Sequence, residues 1–312
     1  MDKAYLGIEI GGTKLQLFVG NEAGDVVRQV RQDLDRSEAA DGIRQRIVKV
    51  VREEFGDLRF AAAGVGFGGP LHRHTGHVVE SHQVPGWAGF GLTDWCENLL
   101  RCPVFADNDA NAAALAEAID GAGKGHEMVF YVTIGSGIGG GLVRGGRIYH
   151  GTPPGESELG HLRLDRQGTT LESVASGWAV DARIRAALGT HSDSRLCQLA
   201  QQTPGAEARY LAEALDVGDS LAQQIIHETA EYLAFGLSHA VHLFHPEIVV
   251  LGGGLSLVGE PLRAAIDDLL PNFVMEAFHP TPSVRLAELA EATVPLGALL
   301  LARQRGTSHP SD

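Results

Sequence analysis

The chain has 312 residues, enough for about two domains, and its 44% apolar and 21% charged residues are an ordinary globular balance that excludes wholesale disorder. Its 25 basic residues stand against 39 acidic ones, and the net charge of −14 argues against a nucleic-acid or acidic-membrane surface, which needs a basic face. The three cysteines, Cys96, Cys102 and Cys197, support neither a disulfide framework nor a Cys-x-x-Cys metal pair, and a cytoplasmic location is expected. The first residues show no apolar run of signal-peptide or membrane-spanning kind.

In chain order, Tyr5–Ile10, Leu15–Val19 and Val26–Val30 read as three antiparallel strands joined by Gly-rich turns. Residues 37–55 have helical spacing, with Ile43, Ile47, Val50 and Val51 on one face. Phe60–Phe67 and Pro103–Ala106 read as strands, and Ala110–Ile119 as an Ala-rich helix. Met128–Ile134 is a further strand, with Leu142–Tyr149 as its hairpin partner. Thr170–Leu188, Ser220–Phe244, Pro261–Leu270 and Pro295–Gln304 read as helices, and Ile248–Leu251 and Val284–Ala287 as strands. The strand-strand-strand-helix-strand-helix order recurs in altered form from Val129 onward, which predicts two related α/β domains. The boundary is expected near Glu117–Gly125.

Six segments have residue types suited to chemistry. In Gly7-Ile8-Glu9-Ile10-Gly11-Gly12-Thr13-Lys14 a Gly-Gly turn lets backbone N–H groups approach a phosphate, with the Thr hydroxyl and Lys ammonium as further donors; it also fits a plain hairpin turn. Gly135-Ser136-Gly137-Ile138-Gly139-Gly140-Gly141 has the glycine spacing of a dinucleotide fingerprint. A strand pattern follows it instead of a helix, so a phosphate-cradling hairpin fits better. Asp107-Asn108-Asp109 ends a strand before a helix, where a carboxylate could take a proton from a hydroxyl or simply cap the helix. Gly155-Glu156-Ser157-Glu158-Leu159-Gly160-His161, with Glu172, suits recognition of sugar hydroxyls or a metal. Gly252-Gly253-Gly254 leaves room for a flat ring. His72-Arg73-His74-Thr75-Gly76-His77, with His82 nearby, invites a metal reading, but lacks helical ligand spacing.

Taken in order, these stretches resemble the ROK family of bacterial sugar kinases and related repressors, within the actin-like ATPase superfamily. The resemblance runs from Tyr5 to about Ala302. It includes Pro85-Gly86-Trp87, Asp107–Leu115, Ile134–Gly141, Glu158-Leu159-Gly160-His161 and Val250–Gly254 as well as the first glycine turn. It implies an α/β fold of two ribonuclease-H-like domains around a central cleft, with residues 1–118 plus 295–312 in the smaller domain and 119–294 in the larger. It also implies ATP with Mg²⁺, a sugar substrate and a homodimer; the net charge of −14 sets the expectation of no nucleic-acid or membrane partner.

Residue by residue, Asp109 matches the family's general base, and Asn108 its sugar-binding neighbour. Glu158, His161 and Glu172 match positions that hold sugar hydroxyls. Glu9, Gly11, Gly12, Thr13 and Lys14 match the first phosphate loop, Gly135, Ser136 and Gly137 the second, and Gly252, Gly253 and Gly254 the adenosine loop. The expected reaction is ATP-dependent phosphorylation of a hexose, glucokinase-like and at the 6-hydroxyl. A kinase for fructose, mannose or an N-acetylhexosamine, or a non-catalytic sugar sensor, is the alternative.

Two departures stand out. Glu9 replaces the family's usual Asp, which bears on a water-mediated hold on Mg²⁺. The segment after His161 is short and has no cysteine, so no structural zinc is expected; His161 is left free and packing must fix Glu172.

Overall fold

The computed structural model describes residues 3–35, 39–81, 84–153, 155, 157–201 and 204–307. His82 and Glu156 lie outside them. The chain divides into two compact units. One comprises Met1–Asp120, Gly141–Glu156 and Leu289–Asp312; the other comprises Gly121–Gly140 and Ser157–Glu288. These bounds differ from the expected ones chiefly at Gly141–Glu156, which groups with the first unit. A Cβ on Gly141 would lie 2.7 Å from the Ala110 carbonyl, so the chain there runs directly on the helix after Asp109.

In the first unit, β1 (Ala4–Ile10), β2 (Lys14–Gly20), β3 (Val26–Asp33), β4 (Phe60–Phe67) and β7 (Val104–Asn108) form one sheet in the order β3-β2-β1-β4-β7. The first three are antiparallel, while β4 and β7 run parallel to β1. β5 (Leu71–His72) and β6 (His77–Val78) make a separate small hairpin, which takes up the histidine-rich run. Among the described residues no group of three or more His, Cys, Asp or Glu could hold a metal.

Alternation along β1 sends Leu6, Ile8 and Ile10 into a core with α1 (Ala40–Glu54), through Ile43, Ile47 and Val50, and with α2 (Leu92–Leu100), through Leu92, Cys96 and Leu100. The opposite face packs on α10 (Thr293–Thr307) through Tyr5, Ala62, Leu299 and Ala302. There the backbones nearly touch: a Cβ on Gly64 would lie 1.9 Å from the Ala298 carbonyl, and one on Gly297 would lie 1.7 Å from the Ala112 carbonyl of α3 (Asp109–Ile119).

The second sheet has the order β10-β9-β8-β11-β12, built from β8 (Met128–Ile134), β9 (Ile138–Arg144), β10 (Arg147–Ile148), β11 (Ile248–Gly252) and β12 (Ser283–Leu286). It repeats the first: a hairpin triplet followed by two strands, with β11 parallel to both β8 and β12. The two sheets thus share one order, as the repeat predicts, and it is the ribonuclease-H-like arrangement that the family resemblance implies. The helices of the second unit are α4 (Leu171–Ala175), α5 (Gly177–Ala187), α6 (Arg195–Ala200), α7 (Leu211–Asp216), α8 (Ser220–Phe244) and α9 (Glu260–Leu269).

The expected helix over Thr170–Leu188 is in fact two. Ser176 is extended (φ −70°, ψ 164°) and caps α5 by accepting from the Ala179 N–H, at 3.2 Å. Ser-Gly is a turn signal, and it marks this break. No described helix is long and apolar enough to cross a membrane. The three cysteines are free and buried.

Gly64→Ala should destabilise the first unit by about 1–3 kcal/mol, because the added methyl meets backbone rather than a side chain that can rotate away. Urea unfolding at constant m-value checks this; an unchanged midpoint contradicts the close packing.

Candidate active site

In the first unit the candidate residues gather at the C-terminal ends of the parallel strands, where α/β sheets bind ligands. β1 ends at Ile10, and Gly11, Gly12, Thr13 and Lys14 turn the chain into β2. The turn is closed by the Gly11 N–H donating to the Lys14 carbonyl, at 3.1 Å. Thr13 is exposed and its neighbours are half-buried, so the turn faces outward.

Glu9 lies on the α10 face of β1 and is 4% exposed. Opposite it in register is Gln16, whose Nε2 donates to Glu9 Oε2 at 2.7 Å and also to the Glu291 carbonyl at 2.7 Å. Lys14 Nζ is 3.5 Å from Glu9 Oε1. Burial pushes the Glu9 carboxyl above its ordinary value, with Lys14 and Gln16 opposing. Both oxygens are engaged within the hairpin, so Glu9 does not fit as a direct magnesium ligand. Its cation is Lys14.

The three residues at the end of β7 divide the work that the sequence left open. Asn108 is the cap of α3: its Oδ1 accepts from the Ala110 N–H at 2.8 Å and the Asn111 N–H at 3.4 Å, and its Nδ2 donates to the Gly69 carbonyl at 3.3 Å. Asp107 is buried. Its Oδ1 accepts from the Asn108 N–H at 2.9 Å and Asn111 Nδ2 at 2.8 Å, while Oδ2 lies 2.6 Å from His150 Nε2.

Asp109 opens the first turn of α3, half-buried, with Oδ1 accepting from the Ala110 N–H at 2.8 Å. A Cβ on Gly68 would lie 3.4 Å from Asp109 Oδ2, 3.4 Å from the Ile10 carbonyl and 3.6 Å from Gly11 Cα. The Asp109 carboxylate and the first glycine turn therefore flank one small space. Sequence reasoning missed His150; only its place at the end of the hairpin strand hinted at it.

In the second unit the glycine turn is shorter than expected. Only Gly135–Gly137 turn, and Ile138–Gly141 already belong to β9. The Gly135 N–H donates to the Gly137 carbonyl, and the Gly177 N–H at the start of α5 donates to the Gly135 carbonyl, both at 2.8 Å. Glu172, in the first turn of α4, accepts the Ile138 N–H through Oε2 at 2.8 Å. A Cβ on Gly137 would meet that oxygen at 2.3 Å, so a side chain there would displace the Glu172 carboxylate from the Ile138 amide. Gly160 packs on the Ile138 carbonyl, where a Cβ would be 2.2 Å away.

Glu158 and His161 flank Gly160 with half-exposed to exposed side chains, 4.0 Å apart. Glu172 and Gly160 thus both meet Ile138 of β9. Cap geometry at α4 fixes Glu172.

Gly252, Gly253 and Gly254 leave β11 in a turn with Gly253 at φ +84°. Gly252 abuts Tyr131, Gly253 abuts Ile134, and Gly254 faces open space within 4 Å.

The fold class is now defined: two ribonuclease-H-like units of the actin-like ATPase type, each bearing a glycine turn after its first strand. The ROK family model matches residues 5–305, and the chain belongs to the ROK family. It is 31% identical over 308 residues to the glucokinase of Thermotoga maritima, covering 96% of this chain and 97% of that one. Among solved structures, a ROK family glucokinase from Streptomyces griseus in complex with glucose and AMPPNP superposes with a TM-score of 0.83 at 29% identity, covering 96% of this chain and 99% of that one. A ROK family transcriptional regulator homologous to the E. coli MLC protein gives a TM-score of 0.85 at 22% identity, a likeness of fold alone.

Two measurements test the first unit. His150→Ala leaves the buried Asp107 carboxylate short of a donor and should cost about 1–3 kcal/mol in chemical denaturation. For Glu9 the folded state holds the proton more tightly than the unfolded chain, so its contribution is full at low pH and is lost as pH rises through its raised value. Wild type should therefore lose stability relative to Glu9→Gln as pH is raised above the ordinary glutamate range of about 4.3. Parallel curves would contradict the burial effect.

Proposed function

We propose that this protein is an ATP-dependent hexose kinase that phosphorylates the 6-hydroxyl of glucose or a close relative, with Asp109 as general base. The observation that carries the reading is the Asp109 carboxylate standing beside the Gly11 turn, at the C-terminal ends of the parallel strands. The family's glucokinases, and the glucose and AMPPNP held by the Streptomyces griseus relative, support the substrates.

In this reading the first unit offers the N–H groups of Gly11 and Gly12, the Thr13 hydroxyl and the Lys14 ammonium to the phosphates of ATP. The second unit offers the Gly135, Ser136 and Gly137 turn to the phosphates and Gly252–Gly254 to the adenosine. Glu158, His161 and Asn108 hold sugar hydroxyls. Glu172 has Oε2 committed to the Ile138 amide, and its other oxygen reads a hydroxyl, which ties sugar recognition to the second phosphate turn.

The sugar hydroxyl gives its proton to Asp109 as its oxygen bonds to the γ-phosphorus. The bond from that phosphorus to the β,γ-bridging oxygen breaks, ADP leaves, and Asp109 returns the proton to water. Fixed N–H dipoles and the Lys14 charge stabilise the transferring group without reorganising during the step. The acidic chain and its free cysteines agree with a cytoplasmic enzyme without a nucleic-acid partner, working as the homodimer that the family resemblance implies.

A coupled ATP-to-ADP assay over a hexose and N-acetylhexosamine panel tests this. One sugar should support turnover, and Asp109→Asn should lower kcat by about 10²–10⁴-fold with little change in sugar KM. Sugar binding without turnover in wild type would instead mark a sensor.

A further inference from the structure

The first unit contains a cavity of about 640 Å³ that none of these roles uses. It lies along β7, the edge strand of the first sheet, with Val104–Asp107 as its floor. Arg73 and His74 from the β5–β6 turn, Asp94 and Glu97 from α2, His150, and Arg305 from α10 line it. Its size is that of a small-molecule site.

The charges in this cavity are unevenly committed. Asp107 is held by His150 and Asn111, and Glu97 Oε1 accepts the Val104 N–H at 3.2 Å. Arg73 and Arg305, in contrast, form no ion pair among the described residues, although the chain carries 39 acidic residues to choose from. The Arg73 Nε is sealed from solvent with no hydrogen-bond partner among the described residues. The Arg73 guanidinium is thus not anchored by any carboxylate among the described residues, and on a residue that lines the cavity its planar fork can match two oxygens of an oxyanion at once. Asp94, Glu97, Thr75 and Thr93 around the same space are suited to accepting hydroxyl protons.

We propose that this cavity binds a small polyhydroxylated phosphate ester. Its phosphate sits on Arg73 and Arg305, and its hydroxyls face Asp94 and Glu97. The back wall is His150, whose Nε2 meets Asp107, and Asp107 holds the Asn108 N–H and the Asn111 side chain. Occupancy that moves His150 is therefore passed to the Asn108–Asp109 turn by direct contacts, without crossing solvent. The binding claim is independent of the kinase reading; the passage to Asp109 rests on it.

The test is calorimetry on the full chain, first saturated with glucose and AMPPNP so that the proposed catalytic site is filled. Glucose 6-phosphate, inorganic phosphate and gluconate are then added as separate probes. Glucose 6-phosphate should bind at one site per chain and more tightly than either of the others, and Arg73→Ala and Arg305→Ala should each weaken it about tenfold or more. Both variants should melt as wild type does. The probe should shift kcat or KM in wild type and not in His150→Asn, while still binding that variant.

No heat from the probe in the saturated protein, or equal affinity in both arginine variants, overturns the site. Equal binding of inorganic phosphate overturns the recognition of hydroxyls, and equal binding of gluconate overturns the choice of phosphate. Absence of heat for glucose and AMPPNP would count against the kinase reading alone, since the dependence on Arg73 and Arg305 is still read.

Discussion

Everything at the candidate site of the first unit depends on how a buried asparagine caps one helix. An α-helix begins with N–H groups that have no partner inside it, and a short oxygen-bearing side chain just before it is the cheapest solution. Asn108 fills that place and accepts two of those N–H groups. Asp109 shares the first of them, since its Oδ1 also accepts from the Ala110 N–H. Asp107 turns back into the protein and becomes the hub that holds Asn108 and Asn111, while Asp109 stands beside the first glycine turn. Three adjacent polar residues are thus placed differently: Asp107 is fastened inward, Asn108 caps the helix, and Asp109 stands in its first turn.

The second unit solves a related problem by other means. Its glycine turn is fastened from outside: the Glu172 carboxylate takes the Ile138 N–H, and the start of α5 donates to the Gly135 carbonyl. The first turn is instead closed within its own hairpin, through the Gly11 N–H and the Lys14 carbonyl. The two turns occupy the same step of the repeated topology. What differs is the origin of the restraint: Glu172 reaches its turn from 34 residues away.

That contrast also explains what could be read from sequence. The strands of both sheets were legible because their apolar runs are bounded by Gly, Pro and Asp, and the repeat exposed their common order. The helix over Leu92–Leu100 was passed over although Leu92, Cys96 and Leu100 recur every fourth residue; the aromatic and glycine-rich stretch before it masked the stripe. The break at Ser176 was hidden because apolar spacing runs through it, and only the Ser-Gly pair signals it. The glycine turn at Gly135 was read four residues too long, since Ile138–Gly141 have a turn's composition and a strand's pairing. Which of Asp107, Asn108 and Asp109 would cap could not be read at all: each is a good cap by type, and the His150 that engages Asp107 instead lies 43 positions along the chain.

Glu9 is a buried carboxylate whose partners Gln16 and Lys14 lie in its own hairpin. Its side chain is long enough to lie across the hairpin and meet Gln16 and Lys14 together, and Gln16 in turn holds the Glu291 carbonyl just ahead of α10. The first glycine turn is thereby linked to the segment leading into the helix that covers its sheet. A shorter carboxylate at the same register would leave more distance to both partners and more room for a hydrated cation. The longer one brings the negative charge to Lys14, at the mouth of the turn, and draws that ammonium inward. The negative charge at this register is therefore held by Lys14 and, through Gln16, tied to the segment ahead of α10.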